Sequence, residues 1–158
     1  MKNNKGFSLV ELIIVVAIMA VLMGILAPQY IRYVEKTRIR ADDSIISDID
    51  KSCQATLADE KFYADAGATV TVTVANNGTI SQSGLSTTGT AFLAEVNTSV
   101  YGQASSVNKF KSKAYTQGGS TTLTYTFNST LYTWQAVIAN SITDSKYYSA
   151  GAAASQNP

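Results

Sequence analysis

The sequence predicts an α+β protein in which a long N-terminal helix packs against an antiparallel β-sheet head. Three features of the 158 residues predict this fold. Residues 12–31 form a run of 20 residues without a formal charge, which is long enough for a helix across a hydrocarbon core. Residues 32–65 carry 14 charges and show helical spacing of apolar residues. Residues 66–158 carry only six charges and contain short runs typical of strands.

The composition disfavours most catalytic and metal-binding functions. The chain has 12 Lys and Arg against 11 Asp and Glu, so a broadly basic nucleic-acid binder is not expected. It has no histidine and a single cysteine, so Ser/His or Cys/His pairs, soft-ligand metal sites and disulfides cannot form within one chain. We therefore expect no enzyme activity and no cofactor. The acidic pairs Asp42-Asp43 and Asp48/Asp50 are expected on a solvated helix face, with calcium binding as the less favoured alternative.

The N-terminus combines a short basic leader, residues 1–6, with an apolar run that begins at Phe7. A removable secretory signal is disfavoured because the run is too long and lacks a clean small-residue cleavage site. Glu11 lies within this run, where an ionised carboxylate costs about 2.5–3.5 kcal/mol near a bilayer centre. A cut between Gly6 and Phe7 would create an α-amino group four residues from Glu11, on the same helix face.

The sequence Lys5-Gly6-Phe7-Ser8-Leu9-Val10-Glu11 resembles the processing site of type IV prepilins and pseudopilins. The resemblance covers residues 1 to about 55. It implies cleavage after Gly6 by a prepilin peptidase, N-methylation of Phe7, and a retained helix. It also implies a homo-oligomeric filament, made with a pilus assembly platform and motor.

For Glu11 we predict a role in the register between helices, because its charge needs a cation at matching depth. The resemblance further implies a single-pass precursor in the inner (cytoplasmic) membrane and a surface filament after assembly. A count of Lys and Arg around the span favours the opposite orientation, and the sequence alone does not decide between the two.

Two helical segments are predicted before the head. Residues 7–31 form the transmembrane and assembly helix, with small residues along one face and a kink expected around Gly24 and Pro28. Residues 32–62 form an amphipathic helix. Its expected buried stripe is Ile45, Ile49, Cys53 and Leu57.

The head is predicted to occupy residues 67–158. Gly67 is expected as a helix C-cap, residues 70–74 as a strand followed by an Asn77-Gly78 turn, residues 81–90 as a loop and residues 91–100 as a short helix. Residues 107–116, 121–128 and 131–139 are expected to form an antiparallel meander. Trp134, Val137 and Leu131 should help to cover the helix, and residues 149–158 should form a loose tail.

Three functions are weighed. The leading one is a pilin, a structural subunit that polymerises through its N-terminal helix. The second is a pseudopilin of a type II secretion or competence system, which the motif does not distinguish. The third is a head that binds DNA or another surface ligand, because Lys109, Lys111 and Lys113 alternate and would share one strand face. The favoured interpretation of these lysines is a solvated edge strand that lysine protects from unwanted pairing.

Overall fold

The computed structural model describes residues 6–103, 105 and 109–148. The chain divides into two compact units, residues 1–35 and residues 36–158. A single helix, α1 (Leu9–Leu57), supplies the described part of the first unit and enters the second. In the first unit the apolar side chains of α1 are exposed, and in the second unit one face of α1 is buried.

The described residues of the second unit, here called the head, form four strands and three short helices after α1. The strands pair antiparallel in the order β2-β1-β3-β4. The predicted α+β fold is therefore confirmed. The elements are α2 (Glu60–Tyr63), β1 (Ala66–Val74), β2 (Ile80–Leu85), α3 (Gly89–Tyr101), α4 (Lys113–Gln117), β3 (Thr121–Asn128) and β4 (Thr133–Ala139).

The core forms where one face of the sheet meets the buried face of α1. On the sheet side, alternate residues of β1 and β3 are buried, among them Val72 and Leu123, which pair across the two strands. On the helix side, Ile49, Cys53 and Leu57 are fully buried, as the spacing predicts, whereas Ile45 is half-buried. Two polar contacts join the layers. The Tyr125 hydroxyl donates to Asp50 at 2.9 Å, and the Trp134 indole N–H donates to the Leu57 carbonyl at 3.2 Å.

The end of α1 and the start of the sheet differ from the prediction. α1 ends at Leu57 rather than near residue 62, because Asp59 starts a new turn by accepting the Lys61 amide at 2.9 Å. Gly67 is not a C-cap, since it already lies in β1. Residues 80–85, expected largely as loop, form β2.

The predicted meander is also wrong in part. β3 pairs with β4 as expected, but its other neighbour is β1 and not the segment at residues 107–116. In β4 the fully buried side chain is Ile138, whereas Val137 is half-buried and Leu131, before the strand, is exposed. The short helix expected at residues 91–100 is confirmed as α3. The predicted loose tail, residues 149–158, lies outside the described residues.

Candidate functional site

The predicted cleavage site lies immediately before α1. Gly6, Phe7 and Ser8 are exposed and not helical, and Phe7 is 84% exposed. The peptide bond between Gly6 and Phe7 is thus outside the hydrogen-bonded helix, which begins at Leu9.

Glu11 caps the start of the helix. One of its carboxylate oxygens accepts the Ser8 backbone N–H at 2.9 Å, and the Ser8 carbonyl accepts the Leu12 amide at 3.3 Å. Ser8 is the residue before the helix and Glu11 is the third residue within it, so this contact is the glutamate half of a capping box. The spacing Ser-x-x-Glu at residues 8–11 is the sequence signature of this cap, and the partner predicted for Glu11 was the Phe7 amine instead.

The segment after Glu11 is apolar on every side. α1 is the one helix among the described residues that is long and apolar enough to cross a membrane, and its apolar stretch is entirely exposed. Gly24 lies in this stretch, and a Cβ added there would meet nothing within 4 Å. Pro28 also lies inside α1, where it lacks the amide that would donate to the preceding turn. Both predicted kink residues are therefore within the continuous helix.

Asp42, in the part of α1 that belongs to the head, binds the segment before α4. Its carboxylate accepts the Lys111 amide at 3.0 Å, the Ser112 amide at 2.8 Å and the Ser112 hydroxyl at 2.6 Å. The side chain of Asp42 is fully buried, so the expected solvated face is wrong here. Ser112 in turn accepts the Tyr115 amide at 3.2 Å and caps α4.

Asp43 binds a second distant segment, residues 140–148. It accepts the Tyr115 hydroxyl at 2.8 Å, the Ser145 hydroxyl at 2.6 Å and the Lys146 amide at 3.0 Å. Burial raises the pKa of Tyr115, so this residue stays a neutral hydroxyl donor. The Asn140 side-chain amide donates to the Tyr115 and Ser145 hydroxyls and completes the network.

Asp42 and Asp43 are thus bound to protein donors. Within the described ranges, no group of three or more His, Cys, Asp or Glu side chains is placed to hold a metal ion. Calcium binding, the less favoured alternative for these carboxylates, receives no support from this arrangement.

The lysine strand predicted at residues 107–116 is wrong in the described part of that segment. Residues 109–111 form no strand, and Lys113 begins α4. Lys109 donates to the Val100 carbonyl at 3.2 Å, near the C-terminal end of α3. The backbone amide of Lys111 binds Asp42 instead of a neighbouring strand. Because the three lysines do not share a strand face, the geometric argument for DNA binding is lost.

Comparison with known proteins identifies the N-terminal segment. A family model described as the prokaryotic N-terminal methylation motif matches residues 1–27. The N-terminus of this chain is therefore similar to a prokaryotic methylation motif. Two proteins named fimbrial protein, both from Pseudomonas aeruginosa, are each 38% identical to this chain over 61 residues. That match covers 39% of this chain and 40% of each relative, so the chain spans less than half the length of the relatives it matches. No solved structure matches.

Proposed function

We propose that this chain is a structural subunit, not an enzyme, that polymerises through its N-terminal helix into an extracellular filament of the type IV pilus kind. A prepilin peptidase cleaves the precursor after Gly6, and the new Phe7 amine is methylated. Before assembly the chain is a single-pass protein of the inner (cytoplasmic) membrane. The pilus assembly platform then moves it into the filament at the cell surface.

The observation that carries this proposal is the exposed apolar part of α1 with Glu11 near its start. An apolar helix of this length needs lipid or other apolar helices around it in water. Glu11 is the only formally charged residue from Gly6 to Ile31, and lipid alone offers its charge no partner. A bundle of cleaved subunits supplies both requirements, since it buries the apolar faces and brings Phe7 amines close to carboxylates.

Gly24 and Pro28 fit the same proposal. Gly24 presents no side chain on the helix surface, so a neighbouring helix can approach its backbone closely. Pro28 removes one helical hydrogen bond and makes the helix easier to bend during packing.

The decisive test separates the charge of Glu11 from its capping role. Glu11→Gln keeps an oxygen for the Ser8 amide but removes the charge, whereas Glu11→Ala removes both. We expect both variants to reach the membrane and to be cleaved, and both to yield at least ten-fold fewer sheared filaments than the unchanged protein. Mass spectrometry of the membrane fraction confirms cleavage through loss of residues 1–6 and methylation through an added 14 Da.

Normal filament yield from Glu11→Gln, together with loss in Glu11→Ala, would show that Glu11 acts only as a helix cap. Normal yield from both variants would refute any assembly role for Glu11. Failure of cells to make filaments that contain this chain would refute the proposed function itself.

A further inference from the structure

The charges of the head are balanced in number but separated in space. Residues 36–158 contain nine Lys and Arg and nine Asp and Glu, so the formal net charge of the head is zero. One end of the head nevertheless presents a group of basic side chains, here called the basic pole. Its members are Lys36, Arg38, Arg40, Lys111, Lys113 and Lys146.

The buried carboxylates of α1 bring the basic pole together. Lys111 is held there because its amide binds Asp42, and Lys146 because its amide binds Asp43. Lys36 and Arg40 lie within two helical turns of these two aspartates on α1. Asp42 and Asp43 are themselves buried, although Asp43 pairs with Arg40 at 3.5 Å, and the exposed carboxylate of Asp144 lies 3.8 Å from Lys36. Even with these two ion pairs, the exposed side chains of Lys111 and Lys146 keep the accessible charge at this end mainly positive.

The other end of the head presents acidic side chains, here called the acidic pole: Asp59, Glu60 and Asp65. They follow the C-terminal end of α1, and Lys61 is the cation among them. Asp42 and Leu57 are 15 residues apart on α1, so the helix separates the two poles by about 22 Å.

We propose that the basic pole of one head docks on the acidic pole of a second copy of this chain. This proposal rests on the proposed filament and specifies a contact between its heads. The two patches are complementary in sign, and each copy carries both. Contact between two different patches is a head-to-tail contact, which can repeat without closing and so suits a filament. A head of zero net charge has no overall attraction to a polyanion such as DNA, whereas a polarised head attracts copies of itself.

The contact should be weak and sensitive to salt. Exposed ion pairs contribute little individually, and salt screens them over about 8 Å at physiological ionic strength. We therefore expect the head contact to fix the register of neighbouring subunits while the apolar helices supply most of the association.

Zero-length cross-linking of the full chain tests the proposal. A carbodiimide joins a lysine amine to a carboxylate only when the two groups are in contact. Lys111 and Glu60 lie at opposite poles of one head, so an amide between them must join two copies. We expect mass spectrometry of treated sheared filaments, and of concentrated full-length chain in detergent, to show this bond. We also expect its yield to fall at least five-fold in 1 M salt.

Charge reversal provides the control. Lys111→Glu alters the side chain but leaves the amide that binds Asp42, and Glu60 is an exposed residue of α2, whose N-cap is Asp59. We expect Lys111→Glu and Glu60→Lys each to reduce cross-linking between the poles at least five-fold, and the double variant to restore it. The matched control is Lys51→Glu, on the exposed side of α1 between the poles, which should have no effect.

Three outcomes would overturn the proposal: no cross-link between the poles in either preparation, no rescue in the double variant, or protection of Lys111 by duplex DNA or anionic vesicles in place of a second copy. If cells make filaments and these cross-links are absent, only the head contact is wrong. If cells make no filaments but the purified chain shows the cross-links and the rescue, the head contact holds and the proposed function fails.

Discussion

Replacement of Asp43 by alanine should destabilise the head more than any change at an exposed acid of α1. Asp43 is 2% exposed and accepts three short hydrogen bonds, from Tyr115, Ser145 and the Lys146 amide. Hydrogen bonds to a charged group contribute about 1.5–3 kcal/mol each, but they are not additive. Water that enters the cavity would accept hydrogen bonds from some of the donors that lose Asp43, and this would offset part of the lost stability. We therefore expect Asp43→Ala to lower the free energy of unfolding by about 3–4 kcal/mol, near the loss for a broken buried ion pair.

The assay is urea unfolding of a fragment that begins at Arg32, followed through Trp134 fluorescence. Trp134 reports on the core because its indole donates to the Leu57 carbonyl. The matched control is Asp48→Ala, an exposed position of the same helix, which should change stability by less than about 0.5 kcal/mol. If Asp43→Ala prevents folding, the milder Asp43→Asn should show faster hydrogen exchange at residues 140–148. Equal stability of the Asp43 and Asp48 variants would refute the anchoring role.

Three further predictions concern the head. Hydrogen bonds from Thr88 and Thr87 hold the pKa of Asp65 far below its usual value, so its stabilising effect is complete above about pH 4 and is lost as the pH falls through the folded-state pKa. The midpoint of urea unfolding should therefore change less between pH 5 and pH 3 in Asp65→Asn than in the unchanged protein. Gly84→Ala should destabilise the head by about 1–3 kcal/mol, because φ at Gly84 is +105° and the new Cβ would lie 2.4 Å from a carbonyl oxygen. The control in the same urea titration is Gly67→Ala, where the nearest atom would lie 3.9 Å from the new Cβ. Burial raises the pKa of Cys53 to about 12, so a thiol reagent should react at pH 8 only after unfolding, and rapid reaction of the native protein would contradict its burial.

The sequence predicts best what depends on near neighbours. The apolar span and the buried Ile49 and Cys53 follow from spacing within one helix, and alternation along β1 identifies its buried valines. The solvated face predicted for Asp42 and Asp43 is wrong. Charged residues on a helix are usually solvated, but the hydrogen-bond partners of these two lie 69 to 103 residues further along the chain. No local pattern shows such partners.

The strand predicted for the lysine segment is wrong for a related reason. Alternation from Lys109 to Lys113 is typical of a strand, but Ser112 accepts the Tyr115 amide and starts a helical turn. The pairing of β1 with β3 likewise depends on segments about 50 residues apart, and the hairpin rule that predicted a meander favours neighbours along the chain.

The two adjacent aspartates also have a consequence for the order of folding. Their partner segments end at residue 146, so α1 leaves the ribosome long before the groups that its carboxylates bind. Before those segments are synthesised, burial of Asp42 and Asp43 would leave their carboxylates without hydrogen-bond donors. This cost disfavours packing of the helix against the sheet. Contacts of such long sequence separation slow folding, because a large loop must close before any of them forms. Truncation of the last few described residues should therefore leave a chain with a formed helix and an incompletely folded head. We expect proteases to degrade such a chain, whereas a folded head of lower stability would resist them.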